Sequence, residues 1–299
     1  IAKDLRTPLY NFAVVVDDEE MHISHVIRGE DHIGNTPKQI FIQKALNFKQ
    51  PEYAHLPLML DEKRAKLSKR FGAISVDDYR QAGFLPEALV NFLALLGWHP
   101  EDDREIMSLE TIINEFSLGR VQKAGAIFNM EKLRWMNGQY IKNMDSAELL
   151  NRLFSFDSSL ASILEIFTPE QKNKLIILTK DRMRTLADFK EASSLFLEIG
   201  DYAPELLIWK KSNKESAKNN LILLREKFNN LDDSLFMQVE LKKILQPLSE
   251  QFGRGDIFWP LRVALSGLEA SPGPIEIMEI LGKGGTLKRI DSAIRLLSF

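Results

Sequence analysis

Cysteine is absent from the 299 residues. That excludes disulfides and thiolate metal sites, and it fits a reducing cytoplasm. Only 5 histidines occur, none helix-paired beside a third ligand, so no metal site is expected. No apolar run approaches the roughly 18 residues of a membrane span, and no secretory leader pattern is visible, so no membrane partner is expected. An excess of positive charge is lacking too, because 39 Lys and Arg face 42 Asp and Glu for a net charge of −3. Proteins that coat nucleic acid indiscriminately are basic overall, so any nucleic-acid contact here has to come from local patches. The sequence starts at Ile1 in mid-phrase rather than at a methionine, and a fragment of something longer is expected.

What is present is concentrated. Lys63, Arg64, Lys66, Lys69 and Arg70 crowd into eight positions, with Lys66-Leu67-Ser68-Lys69-Arg70 at the centre and Phe71-Gly72 following. Lysines three apart, separated by one apolar residue and one hydroxyl, suit a mobile loop that closes over a polyphosphate. ATP is the ligand this predicts. On composition alone a solvated charged face competes with that reading.

Residues 11–16 (Asn-Phe-Ala-Val-Val-Val) read as a buried strand, a short β-branched run bounded by acidic residues. His22–Arg28 is a second strand. Thr36, Pro37 and Gln39 predict a capped helix to about Leu46 with Ile40, Phe41 and Ala45 inward. Residues 55–60 form a third strand entering the lysine loop, the order of a parallel α/β sheet whose ligands sit beyond strand ends. After residue 75 the pattern is helical. Pro86–Leu96 places Leu89, Phe92, Leu93 and Leu96 on one face, and Gly97 closes it. Asn129 caps a helix carrying Leu133, Trp135 and Met136. Asp145 with Glu148 makes a capping box, and Thr168-Pro169-Glu170-Gln171 opens a further helix. Trp98, Trp135 and Met136 are assigned to the core, and no strand is expected after about residue 130.

Several phrases assemble in order: Pro8-Leu9-Tyr10-Asn11-Phe12-Ala13-Val14-Val15-Val16-Asp17-Asp18, His25-Val26-Ile27-Arg28-Gly29-Glu30-Asp31-His32, Asn35-Thr36-Pro37, Gly83-Phe84-Leu85-Pro86, Leu95-Leu96-Gly97-Trp98, Lys132-Leu133-Arg134-Trp135-Met136-Asn137, and Leu261-Arg262-Val263-Ala264-Leu265-Ser266-Gly267 with Ser271-Pro272-Gly273. With the lysine loop, which is similar to the second class I signature Lys-Met-Ser-Lys-Ser, they resemble bacterial glutamyl-tRNA synthetases over essentially the whole chain. His32-Ile33-Gly34-Asn35 is not the family's first signature, His-Ile-Gly-His, because it lies too close to the lysine loop. The family's first half of the nucleotide fold is therefore expected to be missing.

The resemblance implies an α/β then all-α fold. Residues 1–75 would be the remainder of a Rossmann-like catalytic domain, 76–144 a helical stem-contact region, and 145–299 a helical anticodon-binding domain. It implies a glutamate–tRNA ligase using ATP and Mg²⁺, with tRNA(Glu) and L-glutamate as partners, monomeric and cytoplasmic. The isolated chain is expected to be inactive alone, with a non-catalytic tRNA-binding module as the alternative. Lys66 and Lys69 take the catalytic role, the whole 66–70 run binds ATP, and Tyr10 and Arg28 hold glutamate, Arg28 through a bidentate pair. His32 borders that pocket. Arg182 or Arg184, together with Arg262, Ser271 and Pro272, meets the anticodon. Competing with these are a strand-edge role for Tyr10 and a salt bridge for Arg28; Lys132 and Arg134 are read as a solvated helix face, with contact to tRNA backbone phosphate as the alternative.

Overall fold

Strand β1 (Ala2–Asp4) pairs antiparallel with β2 (Thr7–Pro8), and helix α1 (Tyr10–Glu20) follows. Strand β3 (His25–Gly29), helix α2 (Thr36–Leu46) and strand β4 (Glu52–Leu56) make a parallel β-α-β unit, with His25 opposite Glu52 and Gly29 opposite Leu56. Strand β5 (Met59–Leu60) leaves that pair and joins β6 (Ala126–Ile127) in parallel. This computed structural model describes residues 2–4, 6–61, 63–65, 75–210 and 212–298. The lysine run Lys66, Leu67, Ser68, Lys69 and Arg70 lies outside the described residues.

Three expectations need correcting here. Residues 11–16 are helical, within α1. A β-branched run sets only a weak preference, and here Val15 is the residue that α1 buries while Asn11 turns to a polar neighbour. The strand at 55–60 is two strands. Pro57 supplies no N–H to a ladder, and the Leu58 amide donates to the Glu30 carboxylate instead (3.1 Å). Helix α2 is capped by position Asn35 rather than by a Thr36–Gln39 box, and Asn47 ends it in the left-handed region (φ 57°). Its inward face is also not the apolar one: Gln39 and Gln43 are buried, while Phe41 is 71% exposed and Ala45 is exposed.

The helices that follow are α3 (Val76–Gln81), α4 (Pro86–Gly97), α5 (Leu109–Glu115) and α6 (Met130–Asn143). Ser75 and Asp78 form a reciprocal capping box on α3. Asn129 caps α6, its Oδ1 accepting from the Lys132 amide at 2.9 Å. Tyr79, Phe84, Leu89, Phe92, Leu133 and Met136 pack into one core, and Trp98 with Met107 and Ile112 into another. Asn137 reaches from α6 to accept the Leu85 amide at the start of α4 (2.8 Å), filling one of the helix N-terminal donors that has no partner within α4. Trp135 and Leu93 are not core residues, being 37% and 41% exposed. Lys132 pairs with Glu105 (2.6 Å).

The chain divides into two compact units, Ile1–Tyr140 and Ile141–Phe299. The second consists of α7 (Ser146–Phe156), α8 (Ser159–Ile163), α9 (Pro169–Lys180), α10 (Phe189–Leu197), α11 (Lys214–Asn229), α12 (Gln238–Phe252), α13 (Arg254–Ser266) and α14 (Pro274–Leu296). Leu149, Leu175, Leu221, Leu245, Leu261, Ile277 and Ile290 are fully buried along its core. Asp145 caps α7, but Glu148 turns to Arg152 instead of completing a box; at the start of α9, which opens at Thr168 as expected, Thr168 and Gln171 form a reciprocal box. Helix α14 is kinked at Gly282 (φ 67°), a conformation that favours glycine. Among the described residues no strand follows Ile127, so the fold is α/β followed by all-α.

Candidate functional site

Strand alternation puts Arg28, Tyr53 and His55 on one face of the β3–β4 pair, with Arg28 directly opposite His55. Helical spacing puts Thr36, Gln39 and Gln43 on one stripe of α2. The two polar faces meet. Arg28 Nη2 donates to Thr36 Oγ1 and to Gln39 Oε1, both at 2.8 Å. Gln43 Nε2 donates to the Tyr53 hydroxyl at 3.0 Å, and Thr36 Oγ1 lies 3.0 Å from His55 Nε2. Gln39 Nε2 continues to Asn11 Oδ1 on α1 (2.9 Å). The Arg28 guanidinium also lies over the Tyr53 ring, 5.4 Å from its centroid.

This arrangement decides what Arg28 can offer a substrate. Nη2 is the corner shared by both bidentate edges of a guanidinium, and both its hydrogens are used on Thr36 and Gln39. The two-pronged grip expected from the sequence is therefore closed. Nη1 remains, without a hydrogen bond among the described residues, while Nε is buried without a partner. The groups that hold Arg28 are neutral, so its charge is not cancelled at contact distance. One substrate carboxylate oxygen on Nη1 is what this geometry suits.

Tyr10 stands at the start of α1 with its hydroxyl 3.5 Å from His32 Nδ1 and its ring 5.8 Å from the His32 ring. Asn35 Nδ2 also approaches His32 Nδ1 (3.3 Å). Tyr10 and Arg28 make no direct contact, but both reach one polar cluster, Tyr10 through the His32 ring and Arg28 through Thr36, whose hydroxyl lies 3.4 Å from the His32 carbonyl oxygen. Burial, then the charges of Arg28 and His32, hold His55 below its ordinary pKa. Burial raises the Asp18 carboxyl, against an opposing pull from Arg28. Sequence reasoning named Arg28, Tyr10 and His32 but missed Asn11, Thr36, Gln39 and His55 as their supports. The signal was available in the polar stripe 36, 39, 43, which helical spacing places on one face.

The root of the lysine loop is built from the Asp61 side chain, whose Oδ1 accepts from the amides of Lys63 (2.9 Å) and Ala65 (2.8 Å). Arg64 adopts φ 61° there. Upstream, two glycines admit the segment. A Cβ on Gly97 would lie 3.3 Å from Pro57, and one on Gly125 would lie 2.5 Å from Leu60 Cδ1 and 3.4 Å from the Leu58 carbonyl oxygen. Among the described residues no cluster of three His, Cys, Asp or Glu is placed to hold a metal.

In the second unit, Arg262 Nη1 donates to the Ser271 carbonyl (2.6 Å), the Ser271 hydroxyl (3.1 Å) and the Pro272 carbonyl (3.0 Å). Arg262, Ser271 and Pro272 thus come together, with the arginine bracing the turn that separates α13 from α14. Arg182 and Arg184 are exposed on either side of buried Met183. No helix among the described residues is long and apolar enough to cross a membrane.

Comparison with known proteins follows the same division. Residues 1–135 match the family described as tRNA synthetases class I (E and Q), catalytic domain, and residues 141–294 match the anticodon binding domain family. The glutamate–tRNA ligase of Carboxydothermus hydrogenoformans is 40% identical over 299 residues, covering 97% of this chain and 61% of the relative. That of Moorella thermoacetica is 40% identical over 300 residues, with 99% and 61% covered. Among solved structures, a glutamate tRNA ligase from Elizabethkingia meningosepticum in complex with its amino acid superposes with a TM-score of 0.84 at 32% identity, covering 97% of this chain and 60% of that one. The chain thus spans about three fifths of the length of the relatives it matches.

Proposed function

We propose, for a chain that belongs to the glutamate–tRNA ligase family of class I synthetases, that its protein activates glutamate with ATP and transfers it to the 3′ end of tRNA(Glu). In the first step an oxygen of the substrate α-carboxylate attacks the α-phosphorus of ATP, forming a mixed anhydride as pyrophosphate leaves. In the second, a ribose hydroxyl of the tRNA end attacks the acyl carbon and AMP leaves. Arg28 binds a glutamate carboxylate through Nη1, and Tyr10 orients the substrate without adding charge. Lys66 and Lys69 neutralise the pyrophosphate as its charge develops, the point at which a loop contact adds to rate rather than to binding alone. Leu67, Ser68 and Arg70 complete the ATP-binding loop, and Mg²⁺ enters on the triphosphate. Residues 1–75 carry the chemistry, 76–144 meet the tRNA stem, and 145–299 read the anticodon, with Arg182, Arg184, Arg262, Ser271 and Pro272 as its contacts.

The observation that carries this reading is the Arg28 guanidinium at the β3–β4 strand pair, hydrogen-bonded only to neutral acceptors. The test is glutamate-dependent ATP–pyrophosphate exchange with tRNA present, in the full-length protein and in Arg28→Ala. Exchange that requires glutamate and is lost in the variant is expected. Equal exchange with aspartate, or an unaffected variant, would overturn the assignment.

A further inference from the structure

Strand register sets His55 directly opposite Arg28, and the two side chains meet on one atom. Thr36 Oγ1 accepts from Arg28 Nη2 at 2.8 Å and lies 3.0 Å from His55 Nε2. A hydroxyl has a single hydrogen to give. Its oxygen already serves Arg28, so that hydrogen has two acceptors in reach, His55 Nε2 and, at 3.4 Å, the His32 carbonyl oxygen. The shorter contact takes it while His55 is neutral, which leaves the ring proton on Nδ1. A protonated His55 has no acceptor to offer. Its Nε2–H then points at the same oxygen as Arg28, and the hydroxyl hydrogen turns to His32.

The surroundings of His55 make this proton sensitive to what Arg28 holds. Its charged and titratable neighbours are Arg28 on β3, Glu30, Asp31 and His32 in the turn after β3, Tyr53 on β4 and, on α1, Tyr10 and Asp18. The stripe of α2 that meets the strands is neutral, being Thr36, Gln39 and Gln43. Tyr53 lies parallel to the imidazole, with ring centroids 6.5 Å apart, and brings no charge. Glu30 is engaged by the Leu58 amide. No carboxylate forms an ion pair with Arg28 or His55 among the described residues. Burial, then the charges of Arg28 and His32, disfavour the imidazolium. An anion placed on Arg28 reverses the second of those effects.

We infer that His55 is a positioning residue that couples glutamate binding to a proton: a carboxylate on Arg28 Nη1 draws the imidazole into its protonated form, which sets a second positive charge one bridging oxygen away. The inference rests on the proposed role of Arg28 in holding glutamate. His55 itself touches no substrate and acts through Thr36 and Arg28. Binding linkage is reciprocal, so the proton that glutamate recruits also tightens glutamate. Affinity therefore rises as pH falls beneath about 6.5, where imidazole takes its proton. An anion about 8 Å from an added charge, at a dielectric between those of protein surface and water, gains about three- to tenfold in affinity.

The experiment is calorimetric titration of L-glutamate into the full-length protein between about pH 7.5 and about pH 5.5, in buffers of different ionisation enthalpy so that proton uptake is read directly. Wild type is expected to bind about three- to tenfold more tightly at the acid end, taking up a fraction of a proton at about pH 6. In His55→Gln, which keeps a polar group beside Thr36, the pH dependence should fall below about twofold and the uptake should vanish. Histidine-labelled NMR of the ligand-free protein gives a second reading, in which Arg28→Gln should move the His55 midpoint upward toward the ordinary imidazole value. Affinity lowered equally at every pH in His55→Gln, with the pH dependence and proton uptake of wild type kept, is what a purely structural role gives. That result would assign the proton to another group, His32 first, and overturn the inference, as would a His55 midpoint unmoved by Arg28→Gln. Glutamate binding by wild type with no pH dependence overturns the coupling and leaves the ligase reading standing, whereas no glutamate binding at any pH overturns both.

Discussion

Gln39→Glu is the most discriminating change the structure suggests. The substitution is isosteric and places a carboxylate oxygen where Gln39 Oε1 now lies, 2.8 Å from Arg28 Nη2. The fold keeps an acceptor for Arg28 and loses only the donor to Asn11, which costs about 1 kcal/mol. The effect on substrate is larger. A carboxylate about 4 Å from the guanidinium gains about 4 kcal/mol at an effective dielectric of 20. With the introduced carboxylate in contact, most of that field is cancelled, leaving a loss of about 3 kcal/mol, or roughly a hundredfold. In glutamate-dependent exchange with the full-length protein, the KM for glutamate should rise by about two orders of magnitude. The thermal midpoint should move by only a few degrees. A KM within threefold of wild type, at an unchanged midpoint, would refute the claim that neutral acceptors keep the Arg28 charge available.

Three further outcomes are expected. Lys69→Ala in the full-length protein should depress adenylate formation on the order of a hundredfold while leaving tRNA affinity within about twofold, and pyrophosphate exchange at the wild-type rate would remove the loop from the reaction. Arg262→Ala strips the turn at Ser271 and Pro272 of its hydrogen bonds and should destabilise the second unit by about 2–4 kcal/mol in urea unfolding; a midpoint unchanged by the substitution would show that the turn holds itself. His55 has a folded pKa below its ordinary 6.5, so the folded state binds fewer protons than the unfolded one below that pH. Stability is therefore complete above about pH 6.5 and declines as pH falls beneath it, and His55→Gln should flatten that limb of the profile; an identical acid limb in the variant would point to another group.

Much of the helical half was legible because its signals are local. Thr168 with Gln171, Asn129 and Asp145 all cap helices through side chains next in the chain. The β3-α2-β4 order was legible too, as strands separated by a capped, proline-started helix. What was not legible is tertiary. Helix α1 has a strand-like composition, and its burial of Val15 with Asn11 bonded to Gln39 depends on α2 being in place. The inward face of α2 was misread because hydrophobic periodicity assumes an apolar core, whereas Gln39 and Gln43 are buried against charged and aromatic strand residues. Arg28 and Tyr10 were identifiable by phrase, but the closure of both bidentate edges required atomic distances. Arg262 shows the same limit, since the sequence reading put it and Ser271 near the anticodon and did not foresee its use as a strut.

Gly97 and Gly125 place the beginning of the lysine loop under the control of distant chain. A β-carbon at either position would crowd Pro57 or Leu60, tightly at 97 and below contact distance at 125, and both glycines belong to segments that come after the loop in sequence. An alanine at 125 would meet the Leu60 side chain, 2.5 Å from its Cδ1, and require that side chain to move. Under the proposed function, damage to activation could therefore arise at Gly125, well downstream in sequence of the two lysines proposed to act in it, at a site with no charge, no hydroxyl and no side chain at all.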